Sequence, residues 1–421
     1  MSGHSERTDR RNFLLNLFEG ALFIAGGSFI SSQTVLPALV TRLGGGNIAV
    51  GAVGVILWVG LFLPQIFAAR YAQTVPWKKR WAIGFGALQR SVVLLIAGML
   101  LLAGNLTPSL ALFLFFALFT LLQVLTGIST PGWYDLFAKL TPVRRRGRLS
   151  GMRNSLGGLG GLVSGMVLTV MLAVLPFPWS YAAAFFGAAL LQWVSLVLQI
   201  RLVEDTPSPV MPRTGLREYS TQLRTVLTTN REFRMFLISS VFLILAAVPM
   251  SFFTVYALRR FQAEESVVGE FTLTMVAIQV ISALVNGYLA DRYGNRVAVV
   301  LAGTAMLLAS VWALCAPTLG AFRLVFVFVG MNLGSELMAR YNMSVEYGPI
   351  EQRSTYIGLM NTLLAPVYLF GLAGGWVSDL FGYETLFSLG ILASLAGLAL
   401  FVFRVRDPRI HPPPDAAMQV A

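Results

Sequence analysis

Long apolar segments, separated by short polar stretches, run along almost the whole chain. Each segment approaches the roughly 20 apolar residues that an α-helix needs to cross the core of a bilayer. The pattern predicts twelve membrane-spanning helices, here called spans 1 to 12, near 13–36, 48–70, 82–104, 109–137, 151–175, 180–201, 233–257, 267–290, 296–316, 320–343, 355–377 and 383–403. The chain is therefore expected to be an all-α membrane protein.

The second half of this pattern repeats the first. Segments 142–154 and 349–361 follow spans 4 and 10, and without gaps they share Pro, Arg, Gly and Asn at positions 207 residues apart. A duplicated six-helix unit is the architecture of many secondary transporters. The repeat predicts two pseudo-symmetric six-helix bundles. The expected regions are an N-terminal tail 1–12, a bundle 13–201, a central loop 202–232, a bundle 233–403 and a C-terminal tail 404–421.

The charges indicate how the chain is oriented. Of the 421 residues, 31 are Lys or Arg, and the net charge is +12. Most of these cations lie between spans on one side, as in 78–80 and 144–148. Cytoplasmic loops carry such an excess of positive charge. The protein is therefore expected in the inner (plasma) membrane, with both tails and the central loop in the cytoplasm. Because the basic charge is explained by this orientation, no binding to nucleic acid is expected.

The composition also argues against several classes of protein. The two histidines, His4 and His411, lie in the tails, and Cys315 is the single cysteine. Metalloenzymes, haem proteins and disulfide-built domains need more of these ligands. No G-x-x-x-x-G-K-[ST] loop for ATP occurs in the sequence. We expect no metal, no cofactor and no enzymatic activity, so any uphill transport must draw on an ion gradient.

Two loops resemble signatures of the major facilitator superfamily. The loop after span 8, Gly287 to Arg296, fits the family's G-x-x-x-D-R-x-G-x-R signature, and the loop after span 4 resembles its P-x-x-x-R-G-x-x-x-G pattern. After span 2, where the family usually has its strongest signature, Ala69 and Ala72 replace Asp and Gly. The resemblance covers nearly the whole chain. It implies the two-bundle fold, transport of a small molecule by alternating access, and a monomer.

The resemblance also implies a cytoplasmic gate. Asp291 is expected to meet the start of span 5, where a carboxylate can interact with a helix N-terminus. The arginines after span 4 are expected to face acidic residues after span 10. The alternative is that these are solvated charges obeying the positive-inside rule. The gate residues expected are Asp291, Arg292, Gly294, Arg296, Arg144, Arg148, Arg153, Glu346, Glu351 and Arg353.

Carboxylates occur on three of the spans expected to face a cavity, where a buried charge is costly and usually functional. Glu19, Asp135 and Glu336 are on spans 1, 4 and 10, which line the central cavity in the family. Glu19 has no base near it in sequence, and burial favours a protonated carboxyl, so Glu19 is predicted to carry protons, with Glu336 second. The alternative for Glu19 is packing, through a hydrogen bond to Asn16 or to a neighbouring helix.

Nearby cations change this interpretation for the other two carboxylates. Arg340 lies four residues after Glu336 on the same helix face, so they are expected to pair. Arg340 then either recognises an anionic group or forms a structural ion pair. Lys139 lies four residues after Asp135, which favours a structural pair there. The cavity is predicted to be lined by Gln33, Gln123, Asp135, Phe252, Phe253, Tyr256, Asn332, Glu336 and Arg340.

A lining of aromatic rings, amides and few charges suits an amphiphilic organic molecule. We therefore expect a secondary active transporter that exports such a compound in exchange for protons. One alternative is proton- or cation-coupled uptake of a sugar, an organic acid or another metabolite. A second is a lipid flippase, or a membrane-embedded protein that does not transport.

Overall fold

A computed structural model describes residues 2–72, 74–208, 210, 225–348 and 353–406. Its regular elements over these ranges are helices. Those used below are α1 (Ser2–Ser28), α2 (Val35–Arg42), α3 (Asn47–Ala72), α4 (Lys78–Leu102), α5 (Pro108–Leu140), α6 (Val143–Val174), α7 (Trp179–Ile200), α8 (Arg231–Ala246), α9 (Phe253–Phe261), α10 (Ser266–Tyr293), α11 (Asn295–Cys315), α12 (Leu319–Leu333), α13 (Glu336–Glu346), α14 (Arg353–Leu364), α15 (Phe370–Phe381) and α16 (Tyr383–Arg404).

Eleven helical segments among the described residues are long and apolar enough to cross a membrane, and they coincide with predicted spans 2 to 12. Span 1 is not among the eleven, and it is divided between α1 and α2. α1 also begins at Ser2, well before the apolar stretch, so polar residues fill its first turns. The all-helical, multi-pass fold is confirmed, and twelve spans are consistent with these helices, since α1 and α2 together cover the predicted span 1.

Several spans are interrupted near the middle. In span 1 the α-helical pattern ends at residues 29–34, where Phe29 and Ile30 bond to carbonyls only three residues back. A short 3-10 turn, Val248–Ser251, separates α8 from α9, and another, Ala365–Leu369, separates α14 from α15. Each of these turns has Pro near its start, which cannot donate a backbone hydrogen bond. Interrupted spans leave backbone polar groups available inside a membrane protein.

The chain divides into two compact units. Unit 1 comprises Met1–Gly46, Ile56–Arg213 and Glu264–Val276, and unit 2 comprises Asn47–Val55, Thr214–Ala263 and Ala277–Ala421. The division falls within α3 and within α10, so each of these helices contributes to both units. Of the predicted central loop 202–232, residues 209 and 211–224 lie outside the described residues, and residues 225–229 are helical.

Unit 1 is built on α1, which packs along α6 and α7, while α4 packs against α5 and α7. Small residues let these helices approach closely. A Cβ atom added to Gly157 of α6 would lie 2.7 Å from the Cβ of Ile24, and one added to Gly160 would lie 2.8 Å from the Cβ of Ala25. The glycine-rich stretch of span 5 is therefore the seam against which α1 lies.

Unit 2 has a more apolar interior. α8 packs against α16, and α11 packs against α12 and α16. A buried cluster at one end of these helices joins aromatic and aliphatic side chains, among them Phe233, Phe236, Met343, Tyr347 and Met360. The centroids of the Phe233 and Phe236 rings are 6.0 Å apart. This cluster joins α8, α10, α11, α13, α14 and α16 through apolar and aromatic contacts.

Two glycines of α10 predict opposite responses to the same substitution. A Cβ atom added to Gly269 would lie 2.5 Å from the Cα of Thr169, whereas one added to Gly287 would meet no atom within 4 Å. Because the obstacle at Gly269 is backbone, Gly269→Ala should destabilise the protein by about 1–3 kcal/mol. Gly287→Ala should leave stability unchanged or slightly higher. Thermal unfolding in detergent measures both, and equal behaviour of the two variants would contradict the close packing.

Candidate functional site

A buried cluster of charged side chains in unit 1 is centred on Glu19, in the middle of α1. Its side chain is only 2% exposed. Oε2 lies 3.0 Å from Nη2 of Arg153 on α6, and Oε1 accepts a hydrogen bond of 3.4 Å from Oγ of Ser195 on α7. Nη2 of Arg90 on α4 is 3.9 Å from Oε1. Four helices of the bundle thus meet at one carboxylate.

Backbone carbonyls fix Arg90 in place. Its Nε donates to the carbonyl oxygen of Gln192 at 2.6 Å, and its Nη1 donates to that of Gly86 at 3.0 Å. Its Nη2 donates to Oγ of Ser195 at 3.2 Å. Three bonds to neutral oxygens hold this guanidinium while its charge faces Glu19. Arg90 therefore acts as a fixed positive charge between α4 and α7.

Arg153 is held differently, by aromatic faces and by a glycine. Its guanidinium carbon lies 4.6 Å from the ring centroid of Trp133 and 5.5 Å from that of Phe137. A Cβ atom at Gly20 would collide with the guanidinium. Gly20 therefore leaves the space that lets Arg153 reach Glu19, while the rings supply a weaker attraction that does not depend on the protonation of Glu19.

The cluster is unbalanced in charge. One carboxylate faces two guanidinium groups, and Nη1 of Arg153 has no hydrogen-bond partner among the described residues. A buried ion whose partner is removed costs several kcal/mol, because its solvation is lost and not replaced. Any change in the charge of Glu19 must therefore be compensated by movement, by water or by another ligand.

This arrangement corrects one expectation from the sequence. Glu19 was expected to have no base nearby, yet two arginines contact it. Arg90 and Arg153 are distant in sequence and on other helices, so inspection of the residues next to Glu19 could not find them. A usable signal was present: Arg90 is a cation within an apolar span, and such a charge requires a partner. Asn16, the alternative partner, is buried, and its Nδ2 has no partner among the described residues.

The pair on span 10 forms as predicted. Nη1 of Arg340 lies 3.2 Å from Oε1 of Glu336, and the two residues are four apart on α13. Nη2 of Arg340 donates to the hydroxyl of Tyr368 at 3.1 Å. Arg340 is 4% exposed, and its Nε has no hydrogen-bond partner within the described ranges. The guanidinium thus keeps a donor that is not used inside unit 2.

The predicted partner of Asp135 is wrong. Asp135 lies 3.3 Å from Nζ of Lys78, at the start of α4. Lys139 instead binds Glu204, with Nζ 2.7 Å from Oε1. Asp135 is on the outer part of α5 with its side chain 47% exposed. Each of these two ion pairs joins segments that lie far apart in the sequence. Both are structural ion pairs.

The other residues predicted to line a cavity make packing contacts within their own units. Gln33 bonds to Ser31 in the break of span 1, and Asn332 donates to the carbonyl oxygen of Ala302 at 3.0 Å. Gln123 is buried against Gly60. Three aromatic residues of span 7 were also predicted to line the cavity: Phe252, Phe253 and Tyr256. Their rings pack against those of Tyr383 and Phe387.

The predicted gate residues occupy several environments. Gly294 has φ +91° and separates α10 from α11, a conformation that requires glycine. Asn295 donates to Oε1 of Glu346 at 2.8 Å. Arg292 donates to the hydroxyl of Tyr288 at 3.1 Å. All of these contacts lie at or near helix ends within unit 2.

Four of the gate residues are exposed: Arg144, Arg148, Asp291 and Arg292. Arg296 bonds to the carbonyl oxygen of Val402. Arg153, expected near Asp291, is committed to Glu19. Glu351 lies outside the described residues, as does the side chain of Arg353.

Comparison with known proteins supports the fold over the whole chain. The model of the Major Facilitator Superfamily matches residues 235–420. The structure of a mutant form of the nucleoside transporter NupG is similar, with 15% identity, a TM-score of 0.66, and coverage of 94% of this chain and 99% of that one. The D-xylose–proton symporter has 14% identity, a TM-score of 0.67, and coverage of 94% and 98%.

A third similar structure is a POT family transporter in complex with 5-aminolevulinic acid. It has 13% identity, a TM-score of 0.70, and coverage of 96% of this chain and 97% of that one. A comparison with curated protein sequences found no significant match. At these identities the similar structures define the fold of the chain and not its substrate.

The described residues thus form a multi-pass helical fold similar to that of solved membrane transporters. The resemblance to the major facilitator superfamily is supported by the family model over residues 235–420 and by a fold similar to that of solved transporters.

The ion pair predicts a coupling that unfolding can measure. Arg153→Gln should destabilise the protein by about 3–5 kcal/mol, because Arg153 is the nearest cation to Glu19. Glu19→Gln leaves two buried cations and should also destabilise it. The double variant should be more stable than the sum of the two losses predicts. A double-mutant cycle by thermal unfolding in detergent tests this, and additive losses would show that the two side chains do not interact.

Proposed function

We propose that this protein exports a small amphiphilic organic molecule in exchange for protons, by alternating access, with Glu19 as the proton carrier. The observation that carries the proposal is the buried pair between Glu19 and Arg153. Burying a carboxylate inside a transmembrane bundle costs free energy, and such residues usually have a functional role. The D-xylose–proton symporter has the same fold, so proton coupling is compatible with it.

The coupling follows from the contacts of Glu19. Ionised Glu19 stabilises Arg153 and holds α6 to α1. When Glu19 takes up a proton, its attraction for both arginines falls, and Arg153 keeps only the aromatic faces. The state with Arg153 buried beside a neutral acid is then disfavoured. Protonation thereby changes the relative free energies of two arrangements of α1 and α6, which is what ion coupling requires.

The interrupted spans supply sites for movement and for binding. Breaks in spans 1, 7, 10 and 11 place turns within otherwise continuous helices. In the proposed mechanism the cavity residues predicted from the sequence meet the substrate when the protein changes state. The proposed orientation in the inner membrane has both termini in the cytoplasm, which rests on the charge distribution, and the proposed monomer rests on the resemblance to the family.

Arg340 favours a second candidate function. Its guanidinium is buried, is neutralised in part by Glu336, and retains an unused Nε donor among the described residues. A carboxylate or another anion would complete its hydrogen bonds. This observation favours proton-coupled uptake of an organic acid. Lipid flipping and a role without transport are the remaining alternatives, and nothing in the contacts of the described residues favours them.

Proton flux in vesicles distinguishes these functions. In everted vesicles with an imposed proton gradient, an exported compound should dissipate the gradient in the wild type and not in Glu19→Gln. Under proton-coupled uptake, an organic acid should instead drive proton entry into right-side-out vesicles. Quenching of a pH-sensitive dye measures both. The expected loss in Glu19→Gln is nearly complete, because an amide of the same shape cannot take up the proton.

Asp379→Asn is the matched control for this assay. Asp379 is an exposed carboxylate of α15 that accepts a hydrogen bond of 2.8 Å from Asn47, and it has no contact with the cluster around Glu19. The same change from carboxyl to amide should leave the flux within about twofold of wild type. Full activity of Glu19→Gln would overturn the role of Glu19 as the proton carrier.

The proposed gate gives a separate prediction. Asp291 is exposed at the cytoplasmic end of α10, so its charge contributes little to folding. If it favours the cytoplasm-closed state, Asp291→Asn should reduce transport by about tenfold and leave expression and unfolding unchanged. Asp205→Asn, an exposed acid in the central loop, is the control. Transport by Asp291→Asn at the wild-type rate would show that Asp291 is only a solvated charge.

A further inference from the structure

A recess of about 820 Å³ lies at the end of unit 1 where α4 begins and α7 ends. None of its residues belongs to the cluster around Glu19. The wall combines cations with apolar side chains. It is formed by Arg11, Trp77, Lys79, Arg80, Ile83, Gly84, Ile200, Arg201, Leu202, Val203 and Glu204.

The single acid in this wall is already satisfied. Glu204 accepts the backbone N–H groups of Lys78 and Lys79, each at 3.0 Å, so it caps the start of α4. Its Oε1 also receives Nζ of Lys139 at 2.7 Å. The side chain of Glu204 is 2% exposed. It therefore neutralises Lys139 and the helix N-terminus, and the described residues place no second acid in the wall of the recess.

Four cationic side chains line the recess: Arg11, Lys79, Arg80 and Arg201. Arg11 donates to the carbonyl oxygen of Arg201 at 3.2 Å, a neutral partner. Asn12 exchanges two hydrogen bonds with Val203, at 2.9 and 3.0 Å, which pins the start of the central loop against α1. These hydrogen bonds hold the backbone segments that carry the cations, so the four cations line one cleft.

The rest of the wall indicates the kind of ligand. Ile83 and Gly84 are on α4, and Ile200, 47% exposed, is on α7, where both helices leave their apolar spans. Trp77 lies beside them, as aromatic residues do at the boundary between hydrocarbon and headgroups. A soluble anion would use the cations and leave the apolar wall unused. A phospholipid would place its phosphate among the cations and its acyl chains along the isoleucines.

We propose that this recess binds an anionic phospholipid of the cytoplasmic leaflet, its phosphate held by Arg11, Lys79, Arg80 and Arg201. Basic recesses between spans on the cytoplasmic side recognise such headgroups, and each nearby cation strengthens binding by about a factor of five. The occupied recess would tie α1, α4 and α7, the helices that carry Glu19, Arg90 and Ser195. Bound lipid should therefore stabilise unit 1.

Native mass spectrometry of the detergent-purified protein tests this proposal, with phosphatidylglycerol, cardiolipin and phosphatidylcholine as probes. Wild type should retain the two anionic lipids and not phosphatidylcholine. Arg80→Gln with Arg201→Gln should weaken retention by about 25-fold, two factors of five. Arg145→Gln with Arg404→Gln, which removes two exposed arginines outside the recess, should retain lipid as wild type does.

Two further arms separate the alternatives. Arg80→Lys with Arg201→Lys should retain anionic lipid, and phosphatidylglycerol should raise the unfolding temperature of wild type more than phosphatidylcholine does. Equal losses in both Gln double variants would overturn the proposal in favour of general surface charge. Displacement of the lipid by millimolar inorganic phosphate would assign the recess to a soluble anion instead. If the recess variant does not fold, absence of a lipid-specific rise in the wild type overturns the proposal by itself.

Discussion

The structure depends on the cost of keeping a carboxylate inside a helical bundle that faces a membrane. Glu19 can remain buried and charged only because Arg153 meets it directly and Arg90 stands within 3.9 Å. That requirement explains neighbouring features that have no charge. Gly20 leaves room for a guanidinium, and the glycine seam of α6 brings α1 close enough for the two side chains to meet.

The two halves of the chain solve the packing of their interiors in different ways. The repeat that links 142–154 to 349–361 matches Arg153 with Met360. Met360 is 1% exposed in the apolar cluster of unit 2, where it packs near Met343 and Leu359. The local sequence pattern is therefore duplicated, but the cation that it buries in the first half has an apolar residue at the matching position of the second half. Unit 2 instead places its buried cation, Arg340, on the interrupted span 10.

The sequence predicted the features that depend on local pattern. Apolar stretches gave spans 2 to 12, because length and hydropathy alone decide them, and the four-residue spacing gave the pair between Glu336 and Arg340. Features that depend on distant packing were missed. Lys139 pairs with Glu204 and not with Asp135, because the chain after α7 returns to the start of α4, where Glu204 caps that helix. The break in the helix at 29–34 was not predicted, because Phe29 and Ile30 make this stretch as apolar as the rest of span 1.

The central claim is that Glu19 gains and loses a proton while buried beside Arg153. Infrared difference spectroscopy of the purified protein between high and low pH tests it most directly, since a protonated buried carboxyl has its own C=O stretch. The account predicts a titrating carboxyl band that is absent in Glu19→Gln and shifted in Arg153→Gln. A band that persists in Glu19→Gln, or no titrating band in wild type, would contradict it.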